Sequence, residues 1–347
     1  MPRYRVLTTK ATTISTGLGG YNHEMEALDA LGVEIVECDP TEEAFIALAP
    51  TADAVYAKGM KFTKRMIDAL SKCKVISLGS VGVDTVDVAA ATAKGIPVTN
   101  CPDTFIEEVA DHAMMLLLAA HRRAIEQDRM VREGRWTEGR PQLLKIPRLM
   151  GQTLGFIAFG RVARATARRA KAFGLNLIAH DPFIDEQTIA EHGVEPVSLD
   201  DVLTRSDFIS MHMPATPEAQ GFLKGQHFRR MKPTCIFVNT GRGPTVEEAG
   251  LIKALQEGWI AGAGLDVFEV EPVKPDNPLL KMSNVILAPH NASASSRFDP
   301  ARKRRVGQEI ANVLSGRWPM SCVNPVVLEG TGLRRWQPIS MERGPNS

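Results

Sequence analysis

The sequence predicts an α/β protein of two domains, each built on a parallel sheet. Three observations carry this. The 347 residues are long for one core and suit two domains of ordinary size. The first hundred residues alternate apolar, strand-like runs with helical patterns, which calls for a parallel sheet covered on both faces. The same alternation resumes after a polar stretch at Gly134–Pro147 that reads as irregular.

In the first part, strands are expected at Tyr4–Thr8, Glu34–Glu37, Ala54–Ala57, Val75–Leu78 and Pro97–Asn100, with helices at Asn22–Leu31, Thr63–Leu70 and Val86–Lys94. A long helix follows at Phe105–Arg123, with Thr104 as N-cap and Glu107 completing a capping box, and it is expected to cross between the domains. In the second part, strands are expected at Thr153–Ala158, Asn176–Ala179, Phe208–His212, Cys235–Asn239, Gly262–Asp266 and Val285–Ala288. About six parallel strands fit a dinucleotide-binding domain. A helix at Pro300–Leu314 comes next, and Val323–Leu328 returns to the first domain. The last residues, rich in Gly, Pro, Arg and Ser, read as a flexible tail.

Bulk composition excludes several classes. The formal net charge is +1, so no overall field points to nucleic acid or an anionic membrane. The run Arg302–Arg305 reads as a solvated helix face. The longest apolar stretch, 114–120, is too short to span a bilayer, and the N-terminus lacks the apolar core and cleavage site of a signal peptide. The five cysteines are scattered without metal spacing, so buried, reduced thiols in a cytoplasmic protein are expected, with no metal.

Three segments speak to chemistry. Arg242, Glu271 and His290 each follow an apolar run that reads as a strand. A cation, a carboxylate and an imidazole at the tips of parallel strands can meet in one crevice, bind an anionic keto acid and move a proton. Glu269 lies on the same side as Glu271 if the strand continues, so alternation alone does not separate them.

The turn after Thr153–Ala158 holds the place of a GxGxxG loop but reads Ala158-x-Gly160-x-x-Ala163. Gly160 is kept where backbone approaches a pyrophosphate, and Ala163 is tolerable for helix packing. Ala158 departs most, since a methyl group crowds the tight turn. Asp181 ends the next strand, about twenty residues on, where a carboxylate accepts ribose hydroxyls and repels a 2′-phosphate, so NAD is expected over NADP. His212, at a strand end, is expected to shape the cofactor pocket, and His112 to be a packed group on an apolar helix.

With Gly82-Val-Asp-Thr-Val-Asp87, Val109-Ala-Asp-His-Ala113, Asn239-Thr-Gly-Arg-Gly243, Leu265-Asp-Val-Phe-Glu-Val-Glu-Pro272 and Ala288-Pro-His290 in this order, the chain resembles the D-isomer-specific 2-hydroxyacid dehydrogenases from about Tyr4 to Leu328. The resemblance implies a flavodoxin-like substrate domain (1–102 and 298–330) with an inserted Rossmann NAD-binding domain (103–297), a tail at 331–347, an active site in the cleft between domains, and a homodimer. It makes Arg242 the substrate-binding arginine, His290 the acid/base and Glu271 its partner, which separates Glu271 from Glu269. It assigns Arg161 and Val162 to the pyrophosphate. Thr240, Gly241, Asp266, Asn291, Ala292 and Ser293 fall on the nicotinamide side. Val81 and Gly82 are matched to the substrate carboxylate, with Lys58 and Gly59 as a further substrate segment. Besides Ala158 and Ala163, the chain departs from the family at Gly241, where Ala is common, and Asn291, where Ile is usual.

The expected reaction is hydride transfer between NAD(H) and a small D-2-hydroxy acid or 2-oxo acid. Candidates are glyoxylate or hydroxypyruvate reduction, phosphoglycerate oxidation and D-lactate-type chemistry. Formate oxidation fits less well, because that branch carries Gln beside its His. The alternative is an NAD-sensing, corepressor-like interaction protein, which the segment Glu107–Asp111 resembles loosely. The loops Gly17–Tyr21, Lys58–Lys61 and Trp136–Leu144 are where substrate selectivity is expected to lie.

Overall fold

The structure is a computed structural model, and it describes residues 2–11 and 20–336. The chain begins with β1 (Tyr4–Thr9), α1 (Asn22–Leu28), β2 (Val33–Cys38), α2 (Glu42–Leu48), β3 (Ala54–Ala57), α3 (Lys64–Asp68), β4 (Ile76–Leu78), α4 (Val88–Ala93) and β5 (Val98–Thr99). There follow α5 (Ile106–His121), α6 (Ala124–Arg132), α7 (Trp136–Leu143), β6 (Thr153–Ile157), α8 (Arg161–Ala172), β7 (Asn176–His180), α9 (Glu186–Glu191), β8 (Glu195–Pro196), α10 (Leu199–Arg205), β9 (Phe208–Met211), α11 (Gly225–Phe228), β10 (Ile236–Asn239), α12 (Glu248–Gln256), β11 (Gly262–Leu265) and β12 (Val285–Leu287). The chain then forms α13 (Phe298–Leu314).

Two compact units result. The described residues up to Thr104 join those from Ser296 onward, and Phe105–Ser295 form the other unit. The first unit carries a five-stranded parallel sheet in the order β2-β1-β3-β4-β5, the flavodoxin-like winding. One face is covered by the helices around Phe45, Met66 and Ala91, the other by α1 and α13 through Leu28, Val306 and Ile310. The Val323 amide donates to the Val98 carbonyl at 2.8 Å and the Asn324 carboxamide accepts from the Val98 amide at 2.8 Å, which returns the chain to β5.

The second unit is a seven-stranded parallel sheet in the order β12-β11-β10-β9-β6-β7-β8. Strand order reverses between β6 and β9, and open sheets of this kind bind ligands outside the carboxyl ends of their strands at such a point. Apolar clusters around Phe237 and Phe156 fill the two faces.

Five expectations need correction. The seventh strand, β8, is two residues long and left no periodic signal. Gly134–Pro147 is not irregular, because α7 spans Trp136–Leu143 with Gly139 and Pro141 inside it, and these breakers hid it. The N-cap of α5 is Phe105, without a side-chain cap, and Glu107 instead pairs with Arg168 at 2.8 Å and Arg169 at 2.7 Å on α8; the helix lies wholly within the second unit. Arg302 and Lys303 are buried, and Arg305 pairs with the buried Glu309 at 2.6 Å, so this run is no solvated face. Residues 331–336 are pinned: the Trp318 amide donates to the Arg334 carbonyl at 2.9 Å and the Trp336 indole to the Trp318 carbonyl at 2.9 Å. The rest of the expected tail, 337–347, lies outside the described residues, as do residues 17–19 of the Gly17–Tyr21 loop.

All five cysteines are free thiols, and burial raises the pKa of each, to about 12 for Cys73, Cys101 and Cys235. Among the described residues no helix is long and apolar enough to cross a membrane, and no group of three or more His, Cys, Asp or Glu is set to hold a metal ion.

Candidate active site

The site of the second unit is assembled from the turns that leave β10, β11 and β12. After β10, the Asn239 side chain frames the loop: its oxygen accepts the Gly241 amide at 2.9 Å and its nitrogen donates to the Arg242 carbonyl at 3.3 Å. Gly243 then runs directly beneath the backbone of Phe268, where an added Cβ would fall 1.8 Å from the carbonyl oxygen. Only glycine permits that approach, and it brings the arginine loop against the segment that carries Glu271. Gly241 has its own reason to depart from Ala, since a Cβ there would stand 2.9 Å from the Met213 carbonyl oxygen.

After β11, the two glutamates that alternation left unresolved take different tasks. Glu269 and Glu248 each accept the other's backbone amide, at 3.0 and 3.1 Å, which ties the segment to the start of α12. Glu271 accepts the Phe268 amide with one oxygen at 3.0 Å and meets Nδ1 of His290 with the other at 2.6 Å.

After β12, His290 sits in the left-handed region at φ 48°. Its amide donates to the Asp266 carbonyl at 2.8 Å. The bond to Glu271 is the largest influence on its imidazole and outweighs burial, so its pKa is raised above the ordinary 6.5. Burial opposes ionisation of Glu271, but the bonds from His290 and Phe268 and the charge of Arg242 prevail, and its pKa is lowered. Arg242 acts electrostatically on both. Its guanidinium donates to the Gly241 carbonyl at 2.9 Å and has further interactions.

Asp266, assigned to the nicotinamide side by resemblance, is almost wholly buried, and its carboxylate accepts the amides of Asn291 at 2.9 Å and Ala292 at 3.1 Å. Ala292 is buried, Asn291 exposed and Ser293 half-buried. His212 lies 6.0 Å from the Phe156 ring, with Nε2 at 2.9 Å from Ser210 Oγ and Nδ1 at 3.4 Å from Thr240 Oγ1. Burial lowers its pKa to about 4, so it is neutral at physiological pH and is no general acid.

The phosphate loop follows β6. Gly160 precedes the twelve-residue α8 without a side-chain cap, and an added Cβ would meet nothing within 4 Å. Open space beside an uncapped helix start, where the amides of Arg161 and Val162 begin the helix, fits a pyrophosphate. Ala163 is fully buried, as its packing role requires. Asp181 follows β7 and accepts the Phe159 amide at 2.8 Å and the Phe183 amide at 2.8 Å, which fastens the loop and leaves one lone pair on each oxygen for a ribose. These residues fit a nicotinamide dinucleotide.

Ala158 adopts φ 67°, a conformation that suits glycine. Left-handed backbone costs an L-residue about 1–2 kcal/mol, more than the roughly 0.4–1 kcal/mol of unfolded-chain entropy that Ala saves. Ala158→Gly is therefore expected to raise Tm by about 2 °C and to tighten NADH binding. Calorimetry and fluorescence titration check it, and a lower Tm would mean the methyl group makes contacts that outweigh the strain.

Lys58, Gly59, Val81 and Gly82 lie in the first unit, after β3 and β4. Lys58 is half-buried, its Nζ 3.1 Å from the Tyr21 hydroxyl and over the Tyr21 and Tyr56 rings. Sequence reasoning missed Glu108 and His112 of α5: Glu108 accepts the Ser295 hydroxyl at 2.9 Å beyond β12, and Nε2 of His112 stands 3.4 Å from Asp266, the residue that follows β11. A pair one helical turn apart was the sole available signal.

The profile of the D-isomer specific 2-hydroxyacid dehydrogenase NAD binding domain matches residues 114–292. A glyoxylate reductase of Korarchaeum cryptofilum is 42% identical over 295 residues, covering 84% of this chain and 89% of that protein. A D-3-phosphoglycerate dehydrogenase of Archaeoglobus fulgidus is 36% identical over 319 residues, covering 90% of this chain and 60% of its own length. Among solved structures, an NADPH-dependent glyoxylate/hydroxypyruvate reductase of Sinorhizobium meliloti, in complex with NADP and malonate, has a TM-score of 0.79 at 31% identity, over 97% of this chain and all of that one.

Proposed function

This chain belongs to the D-isomer specific 2-hydroxyacid dehydrogenases, and we propose that it reduces short 2-oxo acids of the glyoxylate and hydroxypyruvate kind with NADH. It is a nicotinamide-dependent oxidoreductase of 2-hydroxy and 2-oxo acids; the substrate and the residue roles are our reading. The observation that carries it is the 2.6 Å pair of His290 and Glu271 under the charge of Arg242.

Gly160, Arg161, Val162 and Asp181 would hold the dinucleotide, with His212, Thr240, Gly241, Asp266 and 291–293 toward its nicotinamide, and when bound it would supply or accept the hydride. Arg242 binds the substrate carboxylate and keto oxygen with paired donors and meets the charge that develops on that oxygen. Glu271 is an acceptor only, so it fixes the proton on Nδ1 of His290 and leaves Nε2 to face substrate. In reduction Nε2 gives its proton to the oxygen; in oxidation it takes one from the hydroxyl. Lys58, Gly59, Val81 and Gly82 are assigned to substrate contact. Asp181 disfavours a 2′-phosphate, the basis for NADH over NADPH. The relatives named as reductases and dehydrogenases give the corepressor-like alternative no support.

Consumption of NADH and of NADPH across glyoxylate, hydroxypyruvate, pyruvate and phosphohydroxypyruvate tests the reading. Turnover is expected to be fastest with the first two acids and with NADH. Faster turnover with phosphohydroxypyruvate would overturn the substrate assignment, and preference for NADPH the role of Asp181. A homodimer is proposed through α6, α7 and the residue that ends α7, which expose Ile125, Val131, Trp136 and Leu144; a sedimentation mass of one chain at micromolar concentration would refute it. Five thiols with raised pKa values suit the reducing cytoplasm.

A further inference from the structure

The turn that presents His290 is strained and needs holding. A non-glycine residue at φ 48° persists only where its surroundings over-determine it. Asp266 supplies most of that constraint: its carbonyl takes the His290 amide and its two carboxylate oxygens take the next two amides. Asp266 is only 1% exposed, so its carboxylate oxygens rely on the protein groups that face them for partners.

One of those groups comes from α5. The His112 side chain is 17% exposed, with Nε2 at 3.4 Å from Oδ1 of Asp266. That is ion-pair distance but off line for a hydrogen bond, and Nε2 has no other partner. A buried polar nitrogen without a partner is costly, and a slight rotation would bring Nε2 onto Asp266. One turn earlier on the same face, Glu108 accepts the Ser295 hydroxyl at 2.9 Å. One helix therefore bonds Ser295 through Glu108 and, through His112, faces Asp266, which holds the amides of Asn291 and Ala292.

We propose that His112 and Glu108 are positioning residues: through Asp266 and Ser295, α5 fixes the strained turn that aims His290. The inference rests on the reading of His290 as the acid/base. Neither side chain touches substrate; each acts through the turn. A displacement of about 1 Å at a reacting group costs roughly a hundredfold in rate, which sets the scale of the effect.

The test uses the full chain with NADH and glyoxylate. His112→Phe is expected to lower kcat by about a hundredfold, with KM for glyoxylate nearly unchanged and a far smaller change in the NADH dissociation constant. His112→Gln keeps a donor near the place of Nε2 and is expected to recover most of the rate. Glu108→Gln, which keeps an acceptor for Ser295, is expected to lose little. Histidine NMR of the protein without ligands gives a readout independent of turnover. The His290 ring, faced by Glu271, Arg242 and Asp266, is expected to broaden in His112→Phe and sharpen again in His112→Gln. Wild-type kcat in His112→Phe, or loss of kcat in step with NADH affinity, would overturn the proposal. A wild type that reduces no 2-oxo acid, with the His290 resonance still responding to residue 112, would refute the reaction and leave the positioning intact.

Discussion

An Arg242→Ala variant is expected to lose roughly a thousandfold in kcat/KM for a short 2-oxo acid while binding NADH within a few-fold of wild type. The size follows from what a guanidinium does here. In the proposed role it neutralises the substrate carboxylate and meets the charge that grows on the keto oxygen, so its loss should weaken both binding and the transition state. The loop itself should survive the change, because Asn239 holds it by bonds to the Gly241 amide and the Arg242 carbonyl, neither of which involves the deleted side chain. Gly243 beneath Phe268 keeps its place as well. Arg242→Lys restores charge without the planar pair of donors and should regain only about tenfold. Steady-state kinetics with a parallel fluorescence titration of NADH decides. Retention of kcat/KM within tenfold in the alanine variant would remove Arg242 from substrate binding, and equal losses in cofactor affinity would reassign it.

The second large effect concerns pH. As the proposed acid/base, His290 must carry its extra proton to serve reduction and must lack it to serve oxidation. Its pKa is raised above the ordinary 6.5, first by the bond to Glu271. Reduction should therefore hold its rate through neutral pH and fall as pH rises through the elevated value, while oxidation climbs over the same interval. Glu271→Gln removes the largest raising influence, so both breaks should move toward acid, and reduction at neutral pH should fall by about a hundredfold. His290→Gln should abolish the pH dependence with the rate, at a loss of about 10²–10⁴. Initial rates from pH 5 to 9 in both directions test this, given that hydride transfer limits turnover. Breaks at the same pH in wild type and Glu271→Gln would show that another group governs the profile.

The sheets of both units could be read from the chain because buried parallel strands are short apolar runs, and Ala54–Ala57 matches to the residue. That Arg242, Glu271 and His290 would come together was legible for a related reason: strand carboxyl ends are where such sheets bind ligands. What stayed hidden depends on through-space contact. Glu269 and Glu271 have the same chemistry and the same parity, and only the fold gives one to Glu248 and the other to His290. Ala158 looked like a crowded turn, but its left-handed backbone belongs to three dimensions. Glu107 fitted a capping box by spacing, yet two arginines on α8 offered its carboxylate stronger partners. Helix α7 was concealed by its own Pro141, since local propensity speaks against what the surrounding structure stabilises.

The protection of the thiols has a practical consequence. With every native sulfur held in its unreactive form, maleimides should label the wild type slowly near neutrality. Val270 lies between the two glutamates of the acid segment, and it is 53% exposed. A Val270→Cys variant would then accept a fluorophore ahead of the native sulfurs, giving an optical reporter beside the acid partner of His290 that leaves the site's polar side chains unaltered.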